Sequence, residues 1–202
     1  MQFATVTEPS SPQPQIEPLS RVQILAAIGI TALILLFLAR LWLAFDTVQL
    51  VPVTLTLPAV LMGTGLGIGI SAASAVAYQL WGDYRASANL YLSLVLSSLT
   101  LSDLIWLGLL PGMSEELLFR GVMLPAIGLN AWGVLISSLC FGVLHFSGAQ
   151  QWSYIIWATV IGAILGVSVL ATGNLLVPIV AHIVTNLISS YTWKLVPRAP
   201  RC

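Results

Sequence analysis

The sequence predicts an all-α, polytopic membrane protein with about six transmembrane helices and one short helix. Two observations predict this fold class. Hydrophobic residues make up 58% of the 202-residue chain and charged residues only 7%, whereas an ordinary soluble domain carries about 25% charged residues. The apolar residues are also gathered into runs of about 20, the length that an α-helix needs to cross the hydrocarbon core. Because backbone polar groups in lipid must be satisfied within their own segment, these runs are expected to be helices.

The N-terminal region is predicted to begin with a polar tail and to continue into the first span. Residues 1–20 are rich in Pro, Ser, Gln and Glu, so they hold too little apolar surface to offset the entropy of ordering. We therefore expect a disordered tail. Residues 22–45 form the first apolar run, with Arg40 near its end, where a long cationic side chain can reach the membrane surface.

The second apolar run, residues 51–80, is rich in glycine. The spacing Gly65-x-x-x-Gly69, with Gly63 two residues earlier, predicts a smooth helix face on which another helix packs closely. The polar stretch at residues 81–85 is expected to be a loop.

The third predicted span is followed by the short helix. Residues 88–110 are mostly apolar and include Asp103, and the Pro111-Gly112 pair is expected to end that span. Residues 114–124 then predict a short helix, in which Ser114 is the N-cap and two glutamates occupy the first turn.

Three more apolar runs complete the predicted fold, at residues 131–147, 152–171 and 174–193. The C-terminal tail after them contains basic residues and no acid, which predicts that it faces the cytoplasm. The formal net charge of the whole chain is zero, and no clustered positive face of the kind that binds nucleic acid is present. We therefore expect the lipid bilayer, and no nucleic acid, as a partner.

Several ionisable residues lie inside the apolar runs, and such residues are costly in lipid and usually mark function. Glu116 and Arg120 are four residues apart and are predicted to pair on one helix face. Glu115 is rotated by about 100° from Glu116 on an ideal helix, so one carboxylate can be structural while the other faces a site. The alternative is ordinary helix-start chemistry, because acids are favoured at the positive end of a helix.

The chain has two histidines, and both lie in apolar runs. His145 follows Phe141 by four residues and Asn186 follows His182 by four, so each pair shares a helix face. Taken separately, these pairs are also typical of a packed core histidine and of a polar contact between helices. Buried polar groups need partners, so an acid, two imidazoles and an amide on three segments predict one shared, water-holding cavity. Water is the reagent that hydrolysis requires.

These motifs, in this order, resemble the CPBP or ABI family of intramembrane peptidases. The family includes the type II CAAX prenyl endopeptidase and bacterial bacteriocin-processing and immunity proteins. Its pattern is two adjacent glutamates with an arginine shortly after, then Phe-x-x-x-His, then His-x-x-x-Asn. In this chain the pattern is Glu115-Glu116-x-x-x-Arg120, Phe141-x-x-x-His145 and His182-x-x-x-Asn186.

The resemblance implies an α-helical membrane fold whose site opens toward the cytoplasmic side. In eukaryotic members the substrate is a prenylated protein that loses its last three residues, and in bacterial members it is often unknown. The organisation expected for this chain is a tail (1–20), N-terminal transmembrane helices (21–87), a catalytic membrane core (88–194) and a basic C-terminal tail (195–202).

A member of this family would hydrolyse a peptide bond of a membrane-associated protein or peptide, lipidated or not. We expect Glu115 to act as a general base on water, assisted by His145. His182 and Asn186 would donate hydrogen bonds to the developing oxyanion. The supporting residues would be Glu116, Arg120 and Phe141.

Three alternatives stay open at this point. Glu115, His145 and His182 offer one oxygen and two nitrogen ligands, as in some catalytic zinc sites, although the helical H-E-x-x-H signature is absent. We prefer a metal-free mechanism with no required cofactor, because Asn186 beside His182 suits an oxyanion donor better than a ligand. The second alternative is a non-catalytic scaffold or immunity protein of the same fold. A transporter is less favoured, because many transporters carry internal repeats and none is evident here.

Overall fold

The structure, a computed structural model, describes residues 19–146, 148 and 151–196, all helical or irregular. Residues 1–18 of the predicted N-terminal tail and 197–202 of the predicted basic tail lie outside the described residues. The α-helices are α1 (Arg21–Phe45), α2 (Leu57–Leu80), α3 (Gly82–Leu96), α4 (Leu104–Glu116), α5 (Leu124–Ile127), α6 (Ala131–Leu144), α7 (Trp152–Thr172) and α8 (Leu176–Leu195). A 3-10 turn, Leu101–Asp103, precedes α4, and a π-helical segment, Leu117–Met123, joins α4 to α5.

Four of the described helices, α1, α2, α7 and α8, are long and apolar enough to cross a membrane. Helix α3 and the helical stretch Leu101–Ile127 meet at a bend of 105° and together form one broken span or re-entrant loop. Helix α6 is apolar but only 14 residues long. Large apolar side chains such as Leu33, Phe37 and Leu61 are exposed on the outside of the bundle, as expected where lipid covers a protein. The chain is therefore a polytopic helical membrane protein, and the six apolar runs correspond to these four helices, the bent pair and α6.

The connection between α2 and α3 differs from the prediction. Residues 81–85 are not a loop, because only Trp81 is outside a helix and α3 begins at Gly82.

The predicted span at 88–110 is also wrong, since the chain leaves the helix at residues 97–100. There the Asp103 carboxylate accepts hydrogen bonds from the backbone and hydroxyl of Thr100, at 2.8 and 2.7 Å, and from Arg21. These local bonds favour a turn over a continuous helix.

The predicted stop at Pro111-Gly112 is wrong, and so is the separate short helix at 114–124. Pro111 lies inside α4, which continues to Glu116. Ser114 is not an N-cap, because its hydroxyl donates to the Leu110 carbonyl at 2.7 Å, as in a helix interior. The absence of a side chain at Gly112 lets Ile183 of α8 approach the α4 backbone closely, and this packing outweighs the local preference of proline to end a helix. The two glutamates consequently lie at the C-terminal end of α4.

The π-helical segment is stabilised by the extended chain between α1 and α2. The α-helical donor to the Gly121 carbonyl would be residue 125, but Pro125 has no N–H. The backbone N–H of Val51 donates to that carbonyl instead, at 3.1 Å. The Leu175 N–H in turn donates to the Pro52 carbonyl at 2.9 Å. The extended segment therefore fixes both the π-helical segment and the start of α8 in one arrangement.

Helices α2 and α8 pack closely and run in the same direction. A Cβ atom at Gly63 would lie 2.7 Å from the Val177 carbonyl oxygen, and one at Gly67 would lie 2.6 Å from the Ala181 carbonyl oxygen. The packing face is thus Gly63-x-x-x-Gly67. The predicted face, Gly65-x-x-x-Gly69, has nothing within 4 Å of the corresponding Cβ positions and is not used in this contact.

Candidate active site

Glu116 lies at the end of α4 and is fully buried. Its Oε1 atom accepts a hydrogen bond from Arg120 Nη1 at 2.9 Å and lies 2.8 Å from His182 Nδ1. The pairing of Glu116 with Arg120 is the one that the four-residue spacing predicts. The contact with His182 was not predicted, because it joins α4 to α8. Among the described residues, Glu116 Oε2 and Arg120 Nε have no hydrogen-bond partner.

The Arg120 guanidinium lies between helices α4, α6 and α7. Its Nη2 atom donates to the Gly162 carbonyl on α7 at 2.9 Å. Its Cζ atom lies 4.2 Å from the centre of the Phe141 ring on α6, a cation–π contact. A Cβ atom at residue 162 would lie 2.9 Å from Arg120 Nη2, so glycine is needed there to admit the guanidinium. Phe141 also contacts both histidine rings, with ring centres 4.9 Å from His145 and 5.7 Å from His182.

Glu115 faces away from this pair, as the rotation of about 100° per residue predicts. Its Oε2 atom lies 4.0 Å from His145 Nε2 and has no hydrogen-bond partner among the described residues. Glu115 is 7% exposed, and its surroundings form a cavity of about 140 Å³, here called the Glu115 cavity. This volume is large enough to hold water.

The hydrogen bonds of the two histidines define which ring nitrogen carries the proton and which is left free. His145 Nδ1 lies 3.0 Å from the Phe141 carbonyl oxygen, which can only accept, so Nδ1 carries the proton. His182 Nδ1 meets the Glu116 carboxylate and likewise donates. In the neutral form of either ring, Nε2 therefore holds a lone pair. Asn186 lies one turn beyond His182 and lines the Glu115 cavity, as both histidines do.

The structure brings the seven predicted site residues together, but into two different environments. Glu116 is hydrogen-bonded to both Arg120 and His182, with Phe141 packed against Arg120 and His182. Glu115, His145 and Asn186 line the Glu115 cavity.

An aromatic wall of Tyr84, Tyr91, Tyr154 and Trp157 also lines this cavity, and sequence reasoning missed it. The Tyr91 and Tyr154 rings stack with centres 4.6 Å apart, and the Tyr154 ring lies 6.1 Å from His145. Ser74 of α2 accepts a hydrogen bond from Trp157 at 3.0 Å. The residues come from α2, α3 and α7, and no motif links them. The only signal in the sequence is tyrosine and tryptophan at helical spacing, as at residues 84 and 91, 154 and 157.

Glu115, His145 and His182 are the three candidate zinc ligands. Within the described part of the chain, no group of three His, Cys, Asp or Glu side chains is arranged to hold a metal ion. His182 Nδ1 is bonded to Glu116, and Glu115 Oε2 lies 4.0 Å from His145 Nε2.

Comparison with known proteins relates the site to a family. The family model described as type II CAAX prenyl endopeptidase Rce1-like matches residues 97–188. The uncharacterized protein YpbD of Bacillus subtilis (strain 168) is 39% identical over 92 residues, covering 46% of this chain and 46% of that protein. The chain thus matches about half the length of this curated relative. No solved structure matches the chain.

The matched segment contains the three motifs, from the glutamate pair to Asn186, while Ser74, Tyr84 and Tyr91 of the cavity wall lie before it. Residues 97–188 of the chain are thus similar to the Rce1-like type II CAAX prenyl endopeptidases.

Proposed function

We propose that the chain is an intramembrane endopeptidase that hydrolyses a peptide bond of a membrane-associated protein or peptide without a metal. The observation that carries this proposal is the Glu115 carboxylate, which is nearly buried, faces a cavity and has an oxygen without a partner among the described residues. A buried, unpartnered carboxylate is costly, and in a membrane protease family a catalytic use accounts for it.

The first step is activation of a water molecule by Glu115 and His145. Glu115 Oε2 and neutral His145 Nε2 are both acceptors, and they lie 4.0 Å apart. A water about 2.8 Å from each atom bridges this gap. It donates one proton to each acceptor, which directs its own lone pairs toward a substrate carbonyl. Glu115 then removes a proton as the water oxygen attacks, and it returns this proton to the amine nitrogen that leaves when the C–N bond breaks.

The second step is stabilisation of the negative charge that develops on the carbonyl oxygen. The Asn186 amide can donate to this oxygen in any protonation state of its neighbours. His182 can donate through Nε2 only when doubly protonated, because its Nδ1 proton already serves Glu116. Each donor of this kind is worth about 3 kcal/mol in comparable sites. Asn186 is therefore the permanent donor and His182 the conditional one.

Glu116, Arg120 and Phe141 act as positioning residues. Arg120 compensates the charge of Glu116, and Glu116 holds the His182 ring through Nδ1. Phe141 packs against both histidine rings, which restricts their rotation. Holding reacting groups in place in this way accounts for a large share of enzymatic rate enhancement.

A non-catalytic scaffold or immunity protein is the competing function. In a scaffold the polar residues would satisfy one another and leave no room for water. Glu116, Arg120 and His182 do so in part, but Glu115, His145 and Asn186 face a cavity. This difference favours the peptidase. The substrate is a peptide or protein at the membrane, and its lipidation stays a proposal from the family resemblance. A cytoplasmic C-terminus stays a prediction from the basic residues of the C-terminal tail.

The test compares membrane proteomes of cells that carry the wild-type chain or Glu115→Gln, with Asp83→Asn as the matched control. Asp83 is exposed on α3 and does not line the Glu115 cavity, so its change removes a carboxylate outside the site. Glu115→Gln keeps the shape and removes the base, and cleavage should fall by about 10²–10⁴-fold. Unaltered cleavage products with Glu115→Gln contradict the proposal. Metal analysis of the purified protein with a chelator tests the second part, which stoichiometric zinc required for activity would overturn.

A further inference from the structure

A second cavity adjoins the Glu115 cavity and lies between α2, α3 and α8. Its volume is about 480 Å³, and we call it the α8 groove. It shares four lining residues with the Glu115 cavity: Ser74, Tyr84, Leu92 and Ser189. The two cavities are therefore adjacent, and an occupant of the α8 groove lies next to the cavity that Glu115 lines.

The groove exists because α2 and α8 separate beyond their glycine contact. Gly63 and Gly67 hold the two helices together at one end. Further along, α2 presents Ser71, Ser74 and Tyr78, whose side chains line the groove instead of admitting α8. The groove therefore opens beyond Gly67, the last glycine of α2 that contacts α8.

One face of α8 carries polar side chains from the catalytic residues to the end of the groove. His182, Asn186, Ser189 and Thr192 follow one another at intervals of four, three and three residues, so they form one stripe. His182 is buried, Asn186 and Ser189 are half-buried, and Thr192 is exposed. The stripe rises about 9 Å from Asn186 to Thr192 at 1.5 Å per residue. An extended chain covers that length with about three residues at about 3.3 Å each.

The facing walls supply further hydrogen-bonding groups and no charge. Tyr78 donates to Asn89 Oδ1 at 2.9 Å, so the Asn89 amide N–H groups are directed elsewhere. The described lining residues of the groove include no Asp, Glu, Lys, Arg or His. An uncharged, extended backbone, which carries one donor and one acceptor per residue, matches such a lining.

A hollow on the far side of the bundle provides the contrast. It lies against α1 and the π-helical segment and is lined by Leu38, Leu41, Trp42, Phe45, Asp46, Leu118 and Met123. Apart from Asp46 and the indole N–H, these side chains offer hydrocarbon only, which suits a lipid chain. A lipid chain gains nothing from the hydroxyls and amides of the α8 groove.

We propose that the α8 groove binds an uncharged, extended polypeptide segment of the substrate next to the scissile bond, with Ser189 and Thr192 bonding its backbone. This inference rests on the proposed peptidase function and deepens it. In this inference the polar face of α8 recognises the substrate through its peptide backbone, and Ser189 and Thr192 are substrate-binding residues.

The experiment measures protection of single cysteines from a maleimide in the full chain, purified in detergent. The background is Cys140→Ser, Cys202→Ser and Glu115→Gln, so that a bound peptide is not hydrolysed. Thr192→Cys reports the groove, Asn186→Cys reports the Glu115 cavity, and Val167→Cys, exposed on α7, is the control. The probes are a pool of short synthetic peptides made only of uncharged residues, and S-farnesyl-cysteine methyl ester.

The peptide pool should slow alkylation at Thr192→Cys by about tenfold when its concentration is about ten times its Kd, and the farnesyl compound should not. Protection by the farnesyl compound alone would make the groove a lipid site and overturn the inference. Peptide protection at Asn186→Cys but not at Thr192→Cys also overturns it, while the peptidase function stands. Protection at neither position overturns the inference and counts against the peptidase function as well.

Discussion

The two halves of the site are built from the same kinds of residue but differ in what surrounds them. In the closed half, Glu116 is hydrogen-bonded to both Arg120 and His182, and Glu116 and Arg120 have no solvent exposure. In the open half, Glu115, His145 and Asn186 face a cavity. Two neighbouring glutamates thus serve opposite purposes, because a helix rotates them apart. One carboxylate has its charge compensated, and the other keeps an oxygen available for chemistry.

The largest expected effect breaks the closed half by removing its cation. Arg120→Met leaves the Glu116 charge buried without compensation, which should lower the free energy of unfolding by about 3–5 kcal/mol. Thermal unfolding in detergent micelles measures this change. Arg40→Met, at an exposed position on α1, is the control and should unfold as the wild type does. A stable Arg120→Met protein would mean that Glu116 is not an ionised partner of Arg120.

Replacing both partners sharpens the same point. The double variant Glu116→Leu, Arg120→Met removes the buried pair as a whole, and such replacements are often neutral or stabilising. It should recover most of the stability that Arg120→Met loses. Cleavage should stay lost, because nothing then holds His182 through Nδ1. Recovery of both stability and cleavage would contradict the positioning role of Glu116.

The next effect contrasts the two glutamates directly. Glu116→Gln removes a charged acceptor of two hydrogen bonds and should lower the free energy of unfolding by about 1–3 kcal/mol. Glu115→Gln removes a carboxylate whose Oε2 atom has no hydrogen-bond partner among the described residues, so stability should be unchanged or raised while cleavage is lost. The same unfolding and cleavage measurements serve both variants. Equal destabilisation by the two changes would remove the distinction between the halves.

A smaller effect concerns the contact between α2 and α8, the helix that holds His182 of the closed half. Gly67→Ala forces a methyl group against the Ala181 carbonyl, and overpacking of this kind costs about 1–3 kcal/mol. Gly65→Ala is the matched control, because its Cβ position has nothing within 4 Å, and it should change stability by less than about 0.5 kcal/mol. The unfolding midpoints of the two variants decide which glycines form the contact. The reverse order would contradict the assigned packing face.

The smallest effect probes the aromatic wall of the open half. Tyr154→Phe keeps the ring that stacks on Tyr91 and should change the free energy of unfolding by less than about 0.5 kcal/mol. Tyr154→Ala removes the ring and with it a stacking contact worth about 0.5–1.5 kcal/mol beyond its buried area. If Tyr154→Phe alone abolished cleavage, the hydroxyl rather than the ring would be the active part of the wall.

The limits of sequence reasoning are clear from particular elements. The spacing of Glu116 and Arg120 predicted their pair, because four residues on a helix always share a face. The position of Pro111 predicted a helix end that does not occur, since the packing of α4 against Ile183 depends on a segment about 70 residues away in the chain. The choice between Gly63-x-x-x-Gly67 and Gly65-x-x-x-Gly69 could not be made from spacing, because both motifs are the same and only the position of α8 separates them.

The amino-acid sequence by itself determined the membrane class, the helical content and the residue types of the site, because hydropathy and helical spacing are local properties. Tertiary structure alone decided that His182 bonds Glu116, that Glu115 faces a cavity, and that α3 closes it with aromatic rings. Those outcomes depend on which helix faces meet, and facing surfaces come from distant parts of the chain whose packing no local pattern encodes.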